Sequence, residues 1–263
     1  MSIELHCTLT GSGDPVVLVH GGWSDHTIWD LVAPELARSF TVIACDRRGH
    51  GESPRGRPAT RRDQEDDVAR LIERLDLGPA HVVGTSFGGS IALGLAASRP
   101  DLVRDVVAHE PPLTGLVEAN PQTKAALGAV DDVLAKIDAG DTERAAWQFV
   151  EEVALGPGAW ELLPPPVRAT MIKSAPAFRV EQRDPAWDHI SPGALAGISC
   201  PVTLTQGDAS PPWFRPVVAR LAELVPHARV HEYPGAGHAP HATHPADWCE
   251  HVSFVLGLRG AIR

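Results

Sequence analysis

The chain has 263 residues, 43% apolar and 21% charged, a size that fits one large domain or a domain carrying an insertion. Its 33 acidic against 23 basic residues give a net charge of -10, which excludes the basic face that nucleic-acid binding needs. No apolar run is long enough to span a bilayer, and the N-terminus, with Glu4 and His6, lacks the apolar core of a signal peptide. Along the chain, short apolar β-branched runs alternate with longer amphipathic ones. Strands are expected at 15–19, 41–45, 80–83, 102–108, 201–205 and 228–233. Most lack period-2 alternation, as in a parallel sheet covered on both faces. Arg55, Arg57, Arg61 and Arg62 make a short basic run, but Asp63, Glu65, Asp66 and Asp67 follow at once, so a solvated mixed-charge face is expected. Helices are expected over 66–76, 87–98, 212–224 and 246–258. From 113 to 191 the pattern is helical only, with Pro-rich joints. These elements predict an α/β fold, a doubly wound, mostly parallel sheet formed by residues 1–112 and 192–263, with an inserted helical cap over 113–191.

Chemistry concentrates at three strand ends. Gly84-Thr85-Ser86-Phe87-Gly88 follows one strand and opens an apolar helix, the strand–turn–helix context in which a serine hydroxyl is held exposed as a nucleophile. His20-Gly21-Gly22-Trp23 ends the strand 15–19. The amide of Gly22, together with that of Phe87 at a helix N-terminus, is a candidate oxyanion hole. Gly235-Ala-Gly-His238 follows the last strand, and His238 is the one of 13 histidines placed to serve the serine as general base. The spacing of His238, His241 and His244 lacks a companion cysteine or carboxylate cluster, so no metal site is expected. Cys7, Cys45, Cys200 and Cys249 are scattered and are expected as buried reduced thiols of a cytoplasmic protein.

These motifs, with Asp46-Arg-Arg-Gly-His-Gly-Glu-Ser53, resemble the α/β-hydrolase superfamily in content and order. The resemblance implies a cofactor-free serine hydrolase and gives the Asp46–Ser53 segment a structural part. One position departs from it. The family commonly places its triad acid three residues after the glycine that ends the penultimate strand, and here Gly207 is followed by Asp208-Ala209-Ser210. Two carboxylates remain: Asp208 in that loop, and Glu110 in His109-Glu110-Pro111-Pro112 after the strand 102–108. Glu110 is favoured, since its strand neighbours the nucleophile strand. That layout is similar to the zearalenone-type lactonases of the family.

The expected activity is hydrolysis of a small-molecule carboxylic ester, with lactone hydrolysis as runner-up and a non-catalytic ligand-binding receptor as the alternative of another class. Trp23 and Trp213 adjoin the catalytic loops and are the candidate substrate-binding aromatics; Trp147, Trp160, Phe178 and Trp187 fall in the cap. Substrate identity and oligomeric state are written in none of these motifs.

Overall fold

A computed structural model describes residues 3–56 and 60–257; Arg57 of the basic run and Leu258, the expected end of the last helix, lie outside them. The strands are β1 (Cys7–Gly11), β2 (Asp14–Val19), β3 (Phe40–Cys45), β4 (Ala80–Thr85), β5 (Val103–His109), β6 (Val202–Gly207) and β7 (Arg229–Tyr233). They form one sheet in the order β1-β3-β2-β4-β5-β6-β7, with β1 antiparallel to β3 and every other pairing parallel. β1 was not expected. It is an edge strand, exposed from Thr8 to Gly11, with only Cys7 and Leu9 as apolar residues, so it carries no continuous hydrophobic run.

The central strands are apolar on both sides. Val17, Val19, Ile43 and Val82 face one core; Val16, Leu18, Val42 and Val83 face the other. The first core is closed by the helices Arg61–Leu75, Phe87–Ser98 and Phe214–Leu224, and the second by Pro245–Gly257 with Trp29 and Leu36. Both faces are covered, which is why the strand sequences lack alternation.

Helix Arg61–Leu75 starts before the expected residue 66, at a capping box in which Thr60 and Asp63 exchange hydrogen bonds. Its first turns correct the expectation of a solvated face: Arg61, Glu65 and Asp67 are buried. Arg61 pairs with Glu65, its main-chain N–H donates to Asp184 Oδ2 at 2.7 Å, and its Nη2 donates to the His189 carbonyl at 2.9 Å. Arg48 pairs with Asp67. The charges are paired inside the protein because the segment 184–189 folds down on them.

Between β5 and β6 every described element is helical: a 3-10 turn at Thr114–Leu116, then Pro121–Asp138, Thr142–Gln148 running on as a π-helix over Phe149–Ala154, Ala159–Leu162, Pro165–Glu181 and Pro192–Ala196. Pro165–Glu181 passes through Pro176 without ending there. Val130, Val133, Val150, Trp160 and Phe178 from this stretch join the same apolar cluster as the first sheet face. Among the described residues no helix is long and apolar enough to cross a membrane.

Candidate active site

Ser86 joins β4 to the helix Phe87–Ser98 with φ 51° and ψ -125°, a left-handed conformation unfavourable for a residue with a Cβ. The turn is tight enough to demand glycine on either side. A Cβ on Gly84 would lie 2.2 Å from the Gly88 carbonyl oxygen, and one on Gly88 would lie 2.1 Å from that of Val19. The Ser86 N–H donates to the His109 carbonyl at 2.8 Å, tying the elbow to the end of β5. Phe87 is the first helical residue, so its N–H has no intrahelical acceptor and sits at the positive end of the helix dipole. Gly21 packs against the serine: a Cβ there would stand 3.0 Å from Ser86 Cβ.

Glu110 follows β5, fully buried and with φ 42°. Its Oε2 is 2.6 Å from His238 Nδ1, and its Oε1 accepts the Gly207 N–H at 2.9 Å. Burial alone raises its pKa. The His109 and His238 imidazoles outweigh that effect, helped by the nearby Ser210 hydroxyl, and hold the carboxyl down at about 2. Glu110 is therefore an acceptor at neutral pH, and His238 Nδ1 carries the proton of the hydrogen bond, leaving Nε2 as a free base. The His238 ring stacks on Phe214, centroids 4.2 Å apart and planes 17° from parallel. Ser210, at the position where the family commonly has its acid, thus lies beside the Glu110 carboxylate. Asp208 is exposed and accepts the Gly235 N–H at 2.7 Å, bracing the loop that leads to His238. His109 is buried, with Nδ1 2.9 Å from Thr205 Oγ1, and desolvation lowers its pKa to about 4.

Ser86, Phe87, Gly22 and His238 line one pocket at the carboxyl ends of the strands, where open α/β sheets bind ligands. Its walls are apolar and largely aromatic: Phe149, Phe178, Trp187, Trp213 and Phe214, with Glu181 and Gln182 as polar members. Among the described residues no hydrogen bond joins Ser86 Oγ to His238; such contacts often tighten only with substrate. Trp213 lies in the wall, its indole N–H donating to the Val153 carbonyl at 2.9 Å. Trp23, expected there, is a correction: it is buried beneath the wall, its ring 5.0 Å from Phe149 and 4.9 Å from Phe178. Its backbone adopts φ 62°, in the left-handed region. Trp147 and Trp160 line a groove outside this pocket, with Asp141, Glu143 and Arg144. His241 packs on Trp29 and His244 bonds Thr243, so neither joins His238.

Arg47, also buried, organises the loop beside the serine. Its Nε donates to the His20 carbonyl at 2.9 Å and its Nη2 to the Gly21 carbonyl at 2.7 Å. It also pairs with Glu181, and its guanidinium lies 5.1 Å from the Phe87 ring centroid. Phe214, named in the sequence beside Trp213 as a possible pocket aromatic, lies in the wall. Phe149, Arg47 and Glu181 were given no part in the site by the sequence and meet it only through tertiary packing.

The model of the alpha/beta hydrolase family matches residues 16–251, and the chain belongs to that family. It is 34% identical, over 94% of its length and 95% of the relative's, to a pimeloyl-[acyl-carrier protein] methyl ester esterase from Chromobacterium violaceum. It is 36% identical over 125 residues to the hydrolase YraK of Bacillus subtilis, a match that spans 46% of each chain, about half of that relative's length. A crystal structure of an alpha/beta hydrolase from Sphaerobacter thermophilus is similar with a TM-score of 0.74 at 28% identity, covering 94% of this chain and 95% of the other.

Proposed function

We propose that this protein is a serine hydrolase of small carboxylic esters, acting through an acyl-enzyme with Ser86, His238 and Glu110 as its triad. The observation that carries this is the 2.6 Å bond between Glu110 and His238 beside a strained Ser86 in one aromatic pocket. Ser86 Oγ bonds to the ester carbonyl carbon while its proton passes to His238 Nε2, and the oxyanion so formed accepts the N–H groups of Gly22 and Phe87. As the carbon–oxygen bond to the leaving group breaks, His238 returns the proton to the departing alkoxide. Water then adds to the acyl carbon, giving a proton to His238, and the acid leaves as Ser86 regains it. Glu110 orients the imidazole and stabilises its cation. No bound cofactor enters these steps.

The esterase name of the relative matched nearly end to end supports an acyclic ester. Lactone hydrolysis, the same steps on a ring, is the second reading, favoured by the acid's place after β5. Residues 113–191 act as the cap that closes the pocket. Four free thiols, three of them buried, support a reducing cytoplasmic setting.

Labelling with a fluorophosphonate, followed by mass mapping, tests the proposal. An adduct on Ser86 that is lost in His238→Ala is expected. A folded protein that is never labelled would instead be a ligand-binding member of the fold. Turnover of p-nitrophenyl esters of rising chain length, run beside a lactone panel, separates the two readings.

A further inference from the structure

A second cluster lies outside the pocket, where β1, the Asp46–Ser53 loop and the short helix His26–Trp29 meet. Asp46 is buried and its carboxylate is occupied. Oδ1 faces the His26 main-chain N–H at 2.7 Å and His26 Nδ1 at 2.8 Å, and Oδ2 accepts the Glu52 N–H at 2.9 Å. The ionised acceptor fixes the proton on Nδ1, which leaves His26 Nε2 with a lone pair. The His6 ring stands beside it, centroids 5.2 Å apart and planes tilted by 50°. His6 Nδ1 is 3.7 Å from Glu52 Oε2. One donor atom from each of His6, His26 and Asp46 lies within 4.8 Å of the others. The backbone holds this arrangement: the His6 N–H donates to Ser53 Oγ at 2.9 Å, and its carbonyl accepts the Asp46 N–H at 2.9 Å.

We propose that His6, His26 and Glu52 form a surface site for a divalent transition-metal ion, zinc by preference, with Asp46 as the carboxylate that orients His26. Two imidazoles and one carboxylate are a borderline donor set suited to zinc rather than to calcium or magnesium. Neighbouring ligand atoms on a tetrahedral zinc lie about 3.3 Å apart, so the exposed Glu52 carboxylate, 3.7 Å from His6 Nδ1, must swing toward the His6–His26 pair to complete the set. Solvent completes the coordination. A histidine whose other ring nitrogen donates to a buried carboxylate is the usual way a protein aims a metal ligand. The three ligands come from separate chain segments, so no spacing in the sequence signals the site. It does not depend on the hydrolase proposal.

Zinc chloride titrated calorimetrically into the full chain tests it. His109, Glu110 and His238 are a second group able to hold a metal, so His238→Ala is titrated in parallel. One equivalent is expected to bind in both proteins, with affinity falling about tenfold or more in His6→Ala and in Glu52→Ala. His26→Ala removes the partner of a buried carboxylate and risks misfolding, whereas His6 and Glu52 are solvent-accessible and keep the test sound. Cobalt is expected to give the visible bands of a four-coordinate site, lost in His6→Ala. Absence of binding at millimolar zinc, binding unchanged in both surface variants, or binding abolished only in His238→Ala overturns the proposal.

Discussion

Glu110 and Asp208 are two carboxylates near one histidine, and their surroundings assign them different work. Glu110 is buried against His238; Asp208 is exposed and holds the Gly235 amide. Glu110→Gln is therefore expected to lower kcat by about 10⁴-fold, because an amide no longer enforces the imidazole tautomer. Asp208→Asn is expected to stay within about tenfold, since it keeps an acceptor for Gly235. Steady-state turnover of one ester by both variants checks this, and the opposite ranking would transfer the acid's role to Asp208. Glu110, held at about 2, stays ionised across the working range, so its own protonation should leave no limb in a pH–rate profile above about pH 4. At this scale much was legible. Ser86, His238 and Glu110 lie at strand ends, where local sequence reports both the turn and the chemistry. Trp23 was misplaced because a tryptophan next to a catalytic loop can point into the pocket or beneath it, and the choice is made by packing on Phe149 and Phe178, residues more than a hundred positions away.

Elements carry the next constraints. The helix Phe87–Ser98 can follow β4 so closely only because Gly88 passes the Val19 carbonyl without a side chain. Gly88→Ala is expected to destabilise the fold by about 3 kcal/mol or more, read as a lowered urea midpoint or loss of soluble protein. Glu181, on Pro165–Glu181, is the carboxylate partner of buried Arg47. Glu181→Leu leaves that guanidinium without it, at a cost of about 3–5 kcal/mol. The Arg47→Met, Glu181→Leu double variant should recover part of this loss in denaturant titrations, and a double variant no more stable than Glu181→Leu would argue against the pairing. The strands were readable as apolar runs, and Arg61–Leu75 as an amphipathic stretch. Its first turn was not, since Arg61 and Glu65 look solvated in one dimension and are buried only because residues 184–189 return over them. β1 was missed for the reverse reason: pairing with β3, not its own hydrophobicity, makes it a strand.

For the whole molecule, acid is the weak side. Burial lowers His50 and His109 to about 4, and His241 to about 3, and His251 falls to about 4 with the help of His231. Each is neutral when folded and free to protonate when unfolded. Their contribution to stability is complete above about pH 6.5 and is lost as pH falls toward 4. Glu65, raised by burial to about 7, has the opposite sign between about 4.5 and 7, so the decline should steepen below about pH 5. Glu110 adds its own loss between about 4.5 and 2. Urea midpoints measured from pH 8 to pH 4 should fall accordingly, and a flat profile would mean that these rings are not buried neutral. The two-sided sheet and the helical stretch were visible in the sequence as a rhythm and its interruption. The shared apolar cluster was not, because contacts between residues far apart in the chain leave no periodicity.

An insertion between two strands is easily pictured as a detachable accessory, gained or exchanged without disturbing its host. Here the buried Arg47 finds its carboxylate partner in Glu181, on a helix between β5 and β6, while its Nε and Nη2 hold the loop beside the serine. Exchange of that stretch for an unrelated one must supply a carboxylate at the same point or leave that loop unsupported. A change at Glu181, itself in the pocket wall, is therefore felt at the His20 and Gly21 carbonyls through a single buried guanidinium.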